Sequence, residues 1–321
     1  AQRRIAPFIR HTPLLYSDCL SKRMDAEVWL KPECWQPTGS FKVRGALNKI
    51  GILAAQGELD GIVTGSAGNH GLGVAYAARS WTRSAAQKAI PADIFVPTTA
   101  PRPKIDKMRH LGAVVHEVGA TYEDAHQAAE VFARETGATY IAAYDDVDVI
   151  AGQGTVGLEI LTDLPETDVL LVPVGGGGLI GGIATAAQVL GTPCQVIGLQ
   201  PEASPAALLS LRDGKAYDPY DHKPTIADGL AGGFGSVPFA VARTLIHEIL
   251  LAGEADMRRA IHLLLDQHQL VVEASGAIAI APLLTGSLDV KAKTVVCVLT
   301  GGNIETSLLR EILNEYADAN A

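Results

Sequence analysis

The chain has 321 residues, 48% of them hydrophobic, and a formal charge of −9. This is enough apolar material for one or two sizeable cores, and no run of ~18 or more apolar residues suggests a membrane span. A negative net charge without a basic tract argues against nucleic acid as a partner. Cys19, Cys34, Cys194 and Cys297 are scattered without C-x-x-C spacing, and no charged-plus-apolar segment leads the chain. A reduced, cytoplasmic setting is therefore expected, with each cysteine a small buried hydrophobe.

In chain order, the first informative stretch is Pro37-Thr38-Gly39-Ser40-Phe41-Lys42-Val43-Arg44-Gly45. A glycine break, Ser40 as a helix cap and Lys42 in the first turn place an amine beside the positive end of a helix dipole and close to Arg44. Both neighbours favour the unprotonated amine that a Schiff base requires, whereas a solvated lysine, with a pKa near ~10.4, is mostly protonated. A solvated surface charge is the plain alternative for a lysine in a first turn. Next, a β-branched run from Gly61 to Thr64 leads through Gly65-Ser66-Ala67-Gly68-Asn69-His70-Gly71 into a helical pattern from Leu72 to Arg79. Such a turn leaves backbone N–H groups ready for a carboxylate or another anion, and Ser66 and Asn69 add polar side chains. Arg79 to Pro91 reads as a surface connection.

Strands are predicted at Asp93 to Val96, Ala113 to Val118, Val169 to Val174, Gln195 to Leu199 and Thr294 to Leu299. Helices are predicted over Ala120 to Glu135, Ala203 to Arg212, Asp256 to His268 and Ala277 to Leu284, and Gly214 to Lys223 is a polar surface excursion. This alternation implies parallel sheets covered by helices, an α/β protein. The strand ending at Val174 runs into Gly175-Gly176-Gly177-Gly178-Leu179 and then a small-residue helix, a turn whose backbone can wrap a phosphate closely. The strand ending at Leu299 runs into Thr300-Gly301-Gly302-Asn303, at a sheet's carboxyl edge where ligands bind.

The glycine run lacks the G-x-x-x-x-G-K-[ST] spacing. It is also no G-x-G-x-x-G with a following acidic residue, so ATP and NAD are poorly supported. An amine, an anion loop, a phosphate cradle and a late hydroxyl together describe a pyridoxal phosphate site. In the order Thr38 to Ala46, Ser66 to His70, Gly152-Gln153-Gly154-Thr155, Gly175 to Gly178 and Thr300 to Asn303, the chain resembles the serine/threonine dehydratases. These are fold type II, tryptophan-synthase-β-like pyridoxal phosphate enzymes, and the likeness runs from His11-Thr12-Pro13-Leu14 to the last helix.

The resemblance implies a larger cofactor-binding domain of residues 1–60 and 146–321, a smaller mobile domain of 61–145, and the cofactor between them. It implies no C-terminal regulatory domain, and a homodimer or homotetramer. Lys42 would carry pyridoxal 5′-phosphate as a Schiff base and then remove the Cα proton of an amino-acid substrate. Phe41 would lie near the ring and Asn69 would bond its 3′-oxygen. Gly175, Gly176, Gly177, Gly178 and Leu179 would hold the phosphate, and Thr300 would face the pyridine nitrogen where the family usually has serine. Ser66, with backbone groups of Gly68, Asn69 and His70, would take the substrate carboxylate. The expected reaction is β-elimination from L-threonine or L-serine to a 2-oxo acid and ammonia.

Alternatives are a dehydratase of 3-hydroxyaspartate, phenylserine or a hydroxyectoine-breakdown product, a serine racemase, a β-replacement enzyme, or a catalytically silent binding protein on this scaffold. Serine racemases carry a serine as second acid/base at the position of Ala67, which makes racemisation a minor activity at most. Gln200 and Ala206 stand where cation-binding relatives have carboxylates, so no metal site is expected, although Glu202 could compensate. Glu273 matches a family motif near the cofactor or caps the next helix. Asp145-Asp146 leads into the Gly152 turn with no assigned chemistry.

Overall fold

The computed structural model describes residues 1–57, 59–84 and 89–319. In chain order its strands are β1 (Leu15–Tyr16), β2 (Glu27–Pro32), β3 (Ile62–Gly65), β4 (Ala92–Val96) and β5 (Val114–Glu117). They continue with β6 (Thr139–Tyr140), β7 (Val169–Pro173), β8 (Gln195–Pro201), β9 (Glu248–Ala252) and β10 (Thr294–Leu299). The chain divides into two compact units, each built on one sheet.

The first unit holds residues 1–10 and 36–153. Its sheet has the order β5-β4-β3-β6, with every pairing parallel. A parallel sheet is covered on both faces, so neighbouring strand residues are buried whichever way they point. Ile62 packs with Leu47, Ile50, Leu72, Ile94 and Met108, while Val63 packs on the opposite face with Phe95, Ala125 and Ala129. The first face is covered by the helices Lys42–Gln56 and Asn69–Ser84, the second by Tyr122–Thr136. This last helix starts two residues after the predicted Ala120. The Thr121 hydroxyl accepts the Asp124 N–H and the Asp124 carboxylate accepts the Thr121 N–H, a capping box that sets the start.

Part of the predicted surface connection is helical, because Asn69–Ser84 runs on past Arg79. Tyr76 and Trp81 anchor it, donating to the carbonyls of Phe8 and Leu47 at 3.0 Å each. Residues 85–88 of that connection lie outside the described residues. The first unit is also wider than the expected 61–145. The helix Lys42–Gln56 lies against Asn69–Ser84 and Val147–Gln153, so the segments either side of 61–145 group with this sheet.

The second unit holds residues 11–35 and 154–321. Its sheet has the order β1-β2-β10-β7-β8-β9. Only the two-residue β1 is antiparallel to its neighbour. One face packs Val28, Leu30, Val169, Leu171, Ile197, Val295 and Cys297 against the helix Glu254–His268 and the segment 270–284. The helix predicted over Ala277 to Leu284 is broken here into Ala274–Ala277, a 3₁₀ turn at Ile278–Ile280, and Ala281–Thr285. Pro282 has no N–H to give to the carbonyl of Ile278, so a continuous ladder is impossible. Pro205 delays the next helix in the same way, to Ala206–Asp213.

Candidate active site

Ligand sites in open α/β sheets lie at the carboxyl ends of strands, where the strand order reverses. In the first unit the chain moves from β3 to β4 to β5, then crosses to place β6 on the other side of β3. The reversal lies between β3 and β6. The loop after β3 is Ser66 to Gly68, and the loop after β6 includes Ala143.

Lys42 reaches this point from the first residue of its helix and donates from Nζ to the Ala143 carbonyl at 3.0 Å. Its Nζ lies 5.3 Å from the Phe41 ring centroid. Burial of the ammonium end lowers its pKa to about 8. The expected causes, the helix end and Arg44, are corrected by this geometry: burial produces the shift, because an ammonium withdrawn from water loses its hydration. Ser40 does not cap the helix. Phe41 already has helical angles (φ −59°, ψ −23°) and occupies the cap position, so Ser40 stands one residue too early. Its buried Oγ has no hydrogen-bond partner.

The helix Asn69–Ser84 carries the other half of this cluster. A Cβ on Gly73 would come within 3.2 Å of the Lys42 carbonyl carbon, so glycine there lets the two helix backbones meet. Ser66 Oγ accepts the Gly68 N–H at 3.3 Å, and Gly68 O accepts from Leu72 at 3.2 Å to open the helix. Asn69, His70 and Gly71 form the first turn of the helix, and a helix N-terminus suits an anion. His70 is buried and its Nε2 lies 2.9 Å from the Ile141 carbonyl. A carbonyl can only accept, so Nε2 carries the proton and Nδ1 is an acceptor, buried and without a partner. Burial, and then the charge of Lys42, hold the His70 pKa down to about 3, so the ring stays neutral. Ala67 lies in the same loop with a bare methyl group.

In the second unit the chain runs β7, β8, β9 in one direction and then returns to place β10 on the other side of β7. The loops after β7 and β10 therefore lie side by side at one carboxyl edge, and they are the glycine run and Thr300-Gly301-Gly302. Gly177 caps the helix Gly178–Leu190 at φ +92°, where a Cβ would also strike the Phe234 ring and lie 2.6 Å from Pro238. Only glycine makes this turn, and it aims the first N–H groups of the helix out of the sheet edge. Thr300 is buried and donates from Oγ1 to the Ser275 carbonyl at 3.1 Å.

Glu273 sits at the N-cap of Ala274–Ala277, but its carboxylate makes no capping bond. Its N–H donates to Gly301 O at 2.9 Å, which ties this turn to the Thr300 loop. Gln200 Oε1 accepts the N–H groups of Ala207 and Leu208 at 2.9 and 3.1 Å. Gln200 thus serves as a cap for the helix Ala206–Asp213. Asp146 caps as well, accepting from Asp148 and Val149 at 2.8 and 3.0 Å.

One buried pair was not anticipated from the sequence. Lys31 Nζ meets Glu159 Oε2 at 2.7 Å, both side chains essentially inaccessible, and also donates to Thr12 O at 2.6 Å. Thr12 Oγ1 in turn donates to Glu33 Oε1 at 2.7 Å. The available signal was a lysine inside the apolar run of β2, which demands a buried counter-charge.

A mostly parallel α/β fold with these two loop clusters defines a class, the fold type II pyridoxal phosphate enzymes. The model of the pyridoxal-phosphate dependent enzyme family matches residues 5–301, and the chain belongs to that family. The L-threonine ammonia-lyase of Thermotoga maritima is 42% identical over 316 residues, 98% of this chain and 77% of that protein. The processed form of threonine deaminase isoform 2 from Solanum lycopersicum superposes with a TM-score of 0.89 at 33% identity, covering 97% of this chain and 84% of that one. Maize serine racemase does so with a TM-score of 0.88 at 30% identity, covering 99% and 96%.

The residues fit pyridoxal phosphate. A lysine amine of lowered pKa suits its aldehyde, and buried polar atoms without partners, Ser40 Oγ and His70 Nδ1, stand in the same unit as that amine. A glycine turn at a helix N-terminus suits its phosphate.

Proposed function

We infer that this chain is a pyridoxal phosphate-dependent ammonia-lyase that converts L-threonine, and L-serine as a second substrate, to the 2-oxo acid and ammonia. The observation that carries this reading is the Lys42 amine, lowered to about 8, beside the anion-accepting turn Ser66 to His70. The 42% identity to an L-threonine ammonia-lyase supports threonine as the substrate.

Lys42 is the residue that would hold the cofactor's aldehyde. Gly175 to Gly178 and the N–H of Leu179 would hold its phosphate, with Phe41 beside the ring and Asn69 on its 3′-oxygen. When bound, the cofactor supplies an electron sink for the charge left at the substrate Cα. The substrate carboxylate is received by Ser66 and the N–H groups of Gly68, Asn69 and His70, which fixes the Cα–H bond toward Lys42. The neutral Lys42 amine would take that proton and, as the ammonium, return one to the β-hydroxyl, which leaves as water. The released enamine tautomerises to the imine and hydrolyses to 2-oxo acid and ammonia.

Thr300 would face the ring nitrogen with a neutral hydroxyl whose proton goes to the Ser275 carbonyl, so it would not protonate that nitrogen. Charge at Cα would be only weakly delocalised, which favours prompt loss of the β-hydroxyl. Ala67 has no proton to give on the opposite face, which directs the reaction to elimination over inversion. The enzyme is expected to be cytoplasmic and a homodimer or homotetramer, which sedimentation distinguishes.

The test is to supply the cofactor-loaded protein with L-threonine, L-serine and threo-3-hydroxyaspartate while following 2-oxo acid and ammonia. Equimolar 2-oxo acid and ammonia from threonine, with slower turnover of serine, is the expected result. A visible cofactor band with no product from any of the three would overturn the assignment and point to β-replacement.

A further inference from the structure

Outside the residues given roles above, one cluster combines a nucleophile with a base, and the nucleophile, Cys19, also lines a cavity. Ser17 Oγ lies 3.0 Å from His268 Nε2, Cys19 Sγ lies 3.4 Å from the same nitrogen, and Ser17 Oγ lies 3.6 Å from Cys19 Sγ. The Ser17 N–H is bonded to Val28 O near the start of β2, so the cluster stands at the amino ends of the strands, whereas Thr300 follows the carboxyl end of β10. Burial lowers the His268 pKa and so favours the neutral ring; in the tautomer with its proton on Nδ1, Nε2 accepts from Ser17 and Cys19. A cavity of about 370 Å³ opens here between the helices Asp18–Met24 and Glu254–His268. Its lining includes Cys19, Arg23, Arg259, His262, Asp266 and Gln267. This volume falls within the range of small-molecule sites, roughly 300 to 1,000 Å³.

The charges of the lining select an anion. Arg23 and Arg259 are both exposed, and the single lining carboxylate, Asp266, already accepts from Gln267. A metal is disfavoured, since among the described residues no group of three or more His, Cys, Asp or Glu could hold one. The other three thiols are unsuited to attack. Burial pushes Cys34 to about 12 and raises Cys194 and Cys297.

We propose that Cys19, Ser17 and His268 form a thiol–disulfide exchange site that takes a small carboxylate-bearing disulfide through Arg23 and Arg259. The Cys19 proton passes to His268 Nε2, directly or through Ser17 Oγ, and the thiolate attacks one sulfur of the incoming disulfide. That S–S bond breaks, and the departing half recovers the proton from His268 as a thiol. One thiol and one disulfide enter, and one thiol and one mixed disulfide on Cys19 leave, so no further oxidant is consumed.

The experiment treats the cofactor-loaded wild-type protein with glutathione disulfide near neutral pH and maps the adduct by mass spectrometry of peptides. The first adduct is expected on Cys19. His268→Gln should slow its formation by tenfold or more, toward the ~10²-fold weight of a lost general base. Arg23→Gln with Arg259→Gln should slow reaction with glutathione disulfide and leave the rate with uncharged 2-hydroxyethyl disulfide unchanged. An unaltered cofactor band in each variant establishes that it is folded. A first adduct on Cys34, Cys194 or Cys297, or a His268→Gln protein modified at the wild-type rate, would overturn the proposal. The wild-type mapping decides the site even where a variant fails to fold.

Discussion

In the proposed reaction the chemistry turns on Lys42, and the burial of this residue has a measurable consequence. An amine lowered to about 8 is mostly neutral above that pH and protonated, hence unreactive, below it. Recapture of pyridoxal phosphate by protein stripped of it should therefore accelerate as pH rises through about 8 and then level off. A solvated lysine near ~10.4 would still be gaining rate two units higher, and a profile of that kind would reject Lys42 as the buried amine. Ala67 carries a second test. Ala67→Ser places a hydroxyl within the Ser66–His70 turn itself, and slow interconversion of L- and D-serine should appear beside continued dehydration. Chiral chromatography that detects no D-serine would remove Ala67 as the reason for preferring elimination.

At the scale of elements, the glycine turn is the most constrained piece of backbone. Gly177 at φ +92° faces the Phe234 ring and Pro238, so Gly177→Ala combines left-handed strain of about 1–2 kcal/mol with overpacking of about 1–3 kcal/mol. A thermal melt should show that loss, together with weaker cofactor binding; an unchanged melt and affinity would mean the turn tolerates rearrangement. The strand β2 carries a different demand. Lys31→Met removes the counter-charge of the buried Glu159 carboxylate, which costs about 3–5 kcal/mol, whereas adding Glu159→Leu should restore most of it. Urea unfolding of the single and double variants measures the difference, and equal stability of the two would show that Glu159 is relieved by water.

For the molecule as a whole, local pattern and sheet order contributed different information. The loops Ser66 to His70, Gly175 to Gly178 and Thr300 to Gly302 were legible because each follows an apolar strand and breaks it with glycine, a signal confined to about ten residues. The strands β1 and β6 were not, since two residues carry no period, and the longer β2 and β9 also went unpredicted. The cap at Phe41 in place of Ser40 depends on backbone angles that residue type alone does not specify.

What the sequence by itself determined was the set of chemical groups and the loops that present them: an amine on Lys42, the strand-to-helix turn at Ser66, the glycine turn at Gly177 and a hydroxyl on Thr300. The tertiary structure decided which of them become neighbours and in what state. Strand order places the loops after β7 and β10 together, and burial, not the helix end, lowers the Lys42 amine. It also pairs Lys31 with Glu159 and Cys19 with His268, residues 128 and 249 positions apart. Hydrogen-bonding pattern and hydrophobic period act over a few residues, but desolvation and long-range contact exist only once the sheets are assembled.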